Sequence, residues 1–223
     1  MEHSFYTMPP PRQRRLQWVV VLLLLVVLLL LVSLAYFFAA YWVLILLFIP
    51  IQVAAPFLDM PSGKKSGKLV YYAPLFVVEP RRKGRVILHG GTLFDYVFIL
   101  RRIPSARQRR RRVWHDYVRG LRLLAEACHE ENKEGTILRG TTYFLTPRTA
   151  RRFGFHQKPT STLQQLLIRF NALQLTLAYS LVQKRLSFPP LGHIRTYETT
   201  AGEVWAHRAE LQALEERLAD WCC

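Results

Sequence analysis

His89-Gly90-Gly91-Thr92 is the stretch of this chain whose residue types and spacing could do chemistry, a glycine pair joining a β-rich run to a helical one. Backbone N–H groups at such a junction can face an anion. The competing reading is a tight strand-to-helix turn with Thr92 as N-cap. A second candidate is Arg139-Gly140-Thr141-Thr142-Tyr143. There Arg139 and Thr141, with Arg148 downstream, could hold a phosphate or a lipid head group, the alternative being a bulged strand followed by a solvated basic helix.

The stretch Ile87–Ile99 resembles the catalytic site of glycerolipid acyltransferases, in which His, four residues and Asp sit at a strand-to-helix junction behind membrane segments. Here five residues separate His89 from Asp95. Glu134-Gly135-Thr136 resembles that family's phosphate-binding block without its flanking residues. The resemblance covers about a dozen positions, and it implies transfer to a lipid or acyl substrate with His89 as base and Asp95 as orienter. The His-Gly-Gly string is also similar to the oxyanion-hole loop of lipase-like α/β-hydrolases, but those need a Gly-x-Ser-x-Gly elbow, which this chain lacks. His115 and Asp116 are neighbours on a helix, where adjacent side chains are expected to diverge. Glu126, Cys128, His129 and Glu130 match no metal-ligand spacing. No metal or cofactor is expected.

These groups must be positioned next to a membrane segment. Leu16–Leu58 runs 43 residues without a charge. A helix crosses hydrocarbon with about 20 apolar residues, so the run fits two crossings, near Leu16–Leu34 and Tyr41–Phe57, with a turn at Ala35–Ala40. Tyr36, Phe37, Phe38, Tyr41 and Trp42 would mark one interface and Trp18 the other. The rival is one long tilted or re-entrant helix ending at Pro50. A cleaved signal peptide over Leu16–Val32 is the weaker reading, because a second apolar span follows at once. Arg12, Arg14 and Arg15 precede the run, and Lys64, Lys65 and Lys68 follow it. Both flanks favour the cytoplasmic side, which two crossings satisfy together. Pro50, inside the second helix, removes a backbone hydrogen bond, and the freed carbonyl needs a partner from helix one or another protein. With no ionisable group inside, the hairpin reads as an anchor.

The chain thus divides into a basic head (1–15), a transmembrane hairpin (16–58) and a basic cytoplasmic domain (59–223) long enough for one core. The net charge of +16 is +2 in the head, +17 over 59–185 and −3 over 186–223. Cys128, Cys222 and Cys223 make no disulfide framework, which favours a reducing compartment. In the domain, Leu69–Val78 reads as a strand with Pro74 at an edge or bulge, paired as a hairpin with Arg85–Leu88. Helices are expected near Leu93–Arg102 and Gln108–Lys133, a strand over Thr136–Leu145, and a short helix after Thr146-Pro147. Further helices should cover Ser161–Arg185 and Ala201–Trp221, the last amphipathic. The expected fold is membrane-anchored α+β: a two-helix hairpin, then one mixed α/β domain with a small sheet and about four helices.

So basic a domain held at a bilayer points to anionic lipid as partner. Lys64, Lys65, Lys68 and Arg109, Arg110, Arg111, Arg112 would each contribute about 1 kcal/mol there. Nucleic acid is the rival partner, but the tether and the absence of a nucleic-acid motif argue against it. A protein partner would meet the hairpin or the C-terminal helix. Two functions are expected: a non-enzymatic protein acting at the cytoplasmic membrane surface through anionic-lipid contact and protein assembly, or a membrane-bound, acyltransferase-like enzyme using His89 as base.

Overall fold

Two long apolar helices open the chain, and a mixed α/β domain follows. The computed structural model describes residues 3–82 and 84–219. Helix α1 (Pro10–Phe37) has prolines in its first turn, where the missing N–H groups would have no partner in any case. Ala39, at φ 49°, reverses the chain. A 3-10 segment, Tyr41–Leu47, then runs directly into α2 (Phe48–Lys65). The arms pack against each other, and each is long and apolar enough to cross a membrane.

Pro50 falls in the first turn of α2, so it interrupts no established ladder, and the interior prolines are Pro56 and Pro61. Pro56 has no N–H to give the carbonyl four residues back, that of Gln52. Gln174, from the following domain, replaces it: its Nε2 donates to the Gln52 carbonyl at 2.7 Å and to Gln52 Oε1 at 2.9 Å. The helical defect expected at Pro50 therefore sits at Pro56, and the domain, not helix one, satisfies it.

The domain is built on a six-stranded sheet of order β1-β2-β3-β4-β6-β5. Its strands are β1 (Val70–Ala73), β2 (Phe76–Arg82), β3 (Arg85–Gly90), β4 (Ile137–Thr142), β5 (His156–Lys158) and β6 (Arg195–Thr200). β3 and β4 are parallel, and the other pairs are antiparallel. The parallel pair needs a long crossover, supplied by α3 (Leu93–Leu100) and α4 (Ala106–Glu130). Alternation along the strands sends Phe76, Val78, Val86, Leu138 and Tyr197 into the larger core, under α4, α8 (Ala201–Ala206) and α9 (Arg208–Ala219). Val77 points the other way, into a smaller aromatic core with Phe5, Met60, Phe94 and Phe98. The remaining helices are α5 (Pro147–Arg152), α6 (Thr162–Phe170) and α7 (Ala172–Gln183).

Several elements differ from expectation. Leu69–Val78 is two strands, because Pro74 and Leu75 form a turn and β1 folds back on β2. The long helices break at Asn171 and at His207, each into two. β5 is three exposed residues, too short for any periodicity, and β6 (Arg-Thr-Tyr-Glu-Thr-Thr) contains no aliphatic residue. Lys83, Trp221, Cys222 and Cys223 lie outside the described residues.

Candidate functional site

The strand-to-helix turn after β3 is shaped by close approach. A Cβ on Gly90 would lie 1.8 Å from Tyr117 Oη, and one on Gly91 2.9 Å from Leu75 Cδ2. The Gly91 amide donates to the Leu75 carbonyl at 2.8 Å, and the Thr92 amide to Asp95 Oδ2 at 2.7 Å. With the amides of Gly91 and Thr92 engaged inside the protein, the anion cradle expected at Gly90, Gly91 and Thr92 is replaced by a tightly packed turn. Thr92 is the N-cap of α3, and Asp95, three residues on, reaches back to it as an N3 acid does.

Asp95 is therefore not the partner of His89. Its carboxylate is fully buried and accepts from Thr92 N, Thr92 Oγ1 (2.9 Å), Tyr71 Oη (2.9 Å) and His3 Nε2 (3.0 Å). The Phe5 amide donates to His3 Nδ1 at 3.3 Å, which leaves Nε2 to carry the proton given to Asp95. His3 stacks on Phe94 with ring centroids 5.3 Å apart, and Ser4 Oγ donates to the Phe98 carbonyl. The head is thus part of the domain. Burial pushes the Tyr6 hydroxyl up to about 12, and burial and the Asp95 charge push that of Tyr71 well above its usual value.

His89 pairs instead with Glu79, Nε2 to Oε1 at 3.1 Å, with side chains 43% and 54% exposed. The register that sets Val77 opposite His89 leaves Glu79 diagonal to it on the same face. Both residues line a cavity of about 450 Å³, within the roughly 300–1,000 Å³ typical of small-molecule sites. Its lining includes Leu88, Gly140 and Thr141 from the sheet, and Ile168, Asn171, Gln174, Leu175 and Ala178 from α6–α7. Tyr96, Tyr117 and Tyr143 also line it. Burial raises all three phenols, which stay neutral at ordinary pH. The cavity is apolar and largely uncharged, with an imidazole–carboxylate pair at its exposed edge.

The other candidate residues are scattered. Thr141 lines the cavity, with its hydroxyl 2.9 Å from that of Thr196. Arg139 lies 4.0 Å from Glu198, and Arg148 is exposed on α5. Arg139, Thr141 and Arg148 do not form one pocket. Lys64 lies over the Tyr6 ring, 3.6 Å from its centroid, beside the docked head. Lys65 and Lys68 are exposed nearby in the chain. The arginine cluster is not a free lipid-facing patch. Arg109 donates to the Ile103 and Leu181 carbonyls, Arg110 to Gln183, and Arg112 pairs with Asp116 in the interior at 3.0 Å. Arg109 and Arg110 thereby hold α4 to the last turn of α7, where orphan carbonyls need donors. His115 and Asp116 do meet, Nδ1 to Oδ1 at 3.2 Å, against the expectation for adjacent helical residues. Among the described residues no three His, Cys, Asp or Glu side chains converge on a metal site.

Reading the sequence missed His3, Glu79, Gln174 and the three cavity tyrosines. Phe5-Tyr6 inside a polar head was the available sign that the head is buried, too short to show a period. Comparisons of this chain with protein-family models, with curated proteins and with solved structures each find no match.

Proposed function

We propose that this is a two-span membrane protein whose domain works on the cytoplasmic membrane surface in contact with anionic lipid, with both ends of the hairpin on that side. The observation that carries this is the docking of the two hairpin flanks at one place. His3 meets Asp95, Tyr6 meets Tyr71, and Lys64 from the end of α2 lies over Tyr6. A hairpin so clasped cannot have a bilayer between its ends. Arg12, Arg14, Arg15, Lys64, Lys65 and Lys68 then share one side, which the positive-inside rule makes cytoplasmic. Cysteine labelling of the full chain in intact cells tests it. With Cys128, Cys222 and Cys223 replaced by Ser, Thr7→Cys and Glu216→Cys should react with an impermeant maleimide only after permeabilisation, and Phe38→Cys without it. Labelling of Thr7→Cys and Glu216→Cys from opposite sides would overturn the proposal.

A second reading, a lipid or acyl transferase with His89 as base, is favoured by one observation: His89 lines an apolar cavity and has a carboxylate on its imidazole. On this reading Glu79 takes the orienting part first given to Asp95. A lipid species that depends on the protein should vanish with His89→Ala at unchanged abundance. Its persistence removes the base.

A further inference from the structure

We propose that the cavity behind α6–α7 is a binding site for one hydrocarbon chain of a membrane lipid, entered from the bilayer beside the second arm of the hairpin. The inference rests on the membrane reading above and names the ligand class of the site. α6 and α7 separate two apolar spaces. Toward the sheet, Ile168, Leu175 and Ala178 line the cavity. On the outside, Leu163, Leu166, Leu167 and Phe170 are 51–64% exposed, and Leu186 and Phe188 just beyond α7 are each 75% exposed. Leu163, Leu166, Leu167 and Phe170 share one face of α6, and an exposed apolar face marks a contact surface.

The hairpin identifies what covers that patch. The Phe170 ring packs on Phe48 at 4.9 Å between centroids, and Gln174 fills the backbone gap that Pro56 opens at Gln52. Phe48 lies ten residues before Leu58, the end of the uncharged run, or about 15 Å along a helix. A helix held at that level beside a membrane-spanning arm lies among acyl chains, not at the head groups. Its outer face meets hydrocarbon, and its inner face lines a cavity of about 450 Å³, room for a chain rather than for a whole two-chain lipid. The helical break between α6 and α7 falls at Asn171, itself in the cavity wall, and is where the hydrocarbon chain would enter. The chain's polar end would lie at His89 and Thr141, where the lining carries its imidazole and hydroxyl groups.

Photolabelling of the full chain in nanodiscs, with a phospholipid carrying a diazirine near the end of its acyl chain, tests this. Labels are expected on α1, α2 and the outer face of α6, and also on the cavity wall at Tyr143–Leu145 and Leu175. Ala178→Trp should lose most of the cavity labels and keep those on α1. Leu175→Trp is a second filling variant, and the wild-type map decides by itself should either variant misfold. Labels on α1, α2 and α6 with none in the cavity would overturn this inference and leave the membrane reading standing. Absence of labels on α1 and α2 would overturn both. Cavity labelling by a water-soluble diazirine fatty acid, but not by the bilayer phospholipid, would overturn the route from the membrane.

Discussion

Two imidazole–carboxylate pairs lie beside the same strand-to-helix turn, with nearly the same length and opposite surroundings. His3–Asp95 spans 3.0 Å with side chains 4% and 0% exposed, and His89–Glu79 spans 3.1 Å with 43% and 54% exposed. Asp95 is out of water and occupied by four donors. A buried carboxylate so satisfied is costly to disturb and has no free lone pair to lend a second imidazole. Glu79 is half in solvent, and its imidazole faces both water and an apolar cavity. A proton-transfer group needs that access. The difference teaches that pair geometry does not define a role: the buried pair clasps the head to the domain, and the exposed pair is free to meet a ligand.

The largest effect expected from breaking this contrast is at Asp95. Asp95→Ala leaves the Tyr71 hydroxyl, the Thr92 amide and His3 Nε2 without their shared acceptor in a closed core. Removing one member of such a buried pair destabilises by about 3–5 kcal/mol. Denaturant unfolding of the full chain in nanodiscs measures it, and a loss no larger than that of Glu79→Ala would erase the distinction between the pairs. His3→Ala should follow at about 1.5–3 kcal/mol, the range for a hydrogen bond to a charged group. It should free the head, so that trypsin cuts after Arg12, Arg14 and Arg15 faster than in the wild type. An unchanged cleavage rate would mean that Ser4, Phe5 and Tyr6 hold the segment without His3.

Alkali probes the same clasp from its tyrosines. Tyr6 ionises at about 12 when folded and near 10 when unfolded. A raised folded value means that the contribution of Tyr6 to stability is fully present below about pH 10 and is lost as pH rises toward about 12. Tyr71 is shifted in the same direction. The unfolding midpoint should therefore fall across this window, and Tyr6→Phe should shallow the fall. A slope that Tyr6→Phe leaves unaltered would place the alkaline sensitivity elsewhere.

What the sequence made legible was one-dimensional. Forty-three uncharged residues announce two long apolar helices without help from the fold, and Thr92 announces the start of α3. Partnership was not legible, because it depends on register and on chain reversal. Glu79 reaches His89 only through the pairing of β2 with β3. His3 reaches Asp95 only because the head folds back across the α1 junction, 92 positions away in sequence. Arg109–Arg112 looked like a surface charge run because composition cannot tell a solvated arginine from one tied to the end of α7. The cavity was illegible for the same reason, since its walls come from β3, β4, α4 and α6–α7.

The smallest expected effect sharpens the comparison most. Glu79→Ala and His89→Ala each remove one partner of an exposed pair, so each should change stability by only about 0–1 kcal/mol. That near-silence is what separates a poised pair from a clasp. Both variants should unfold with the wild-type midpoint and slope, while the diazirine lipid still labels the cavity wall, since the apolar lining is untouched. Any loss of activity in these two variants would then belong to the imidazole and its carboxylate, not to the fold. If either variant instead unfolds as readily as Asp95→Ala, His89 and Glu79 are a second structural tie, and the transferase reading loses its base.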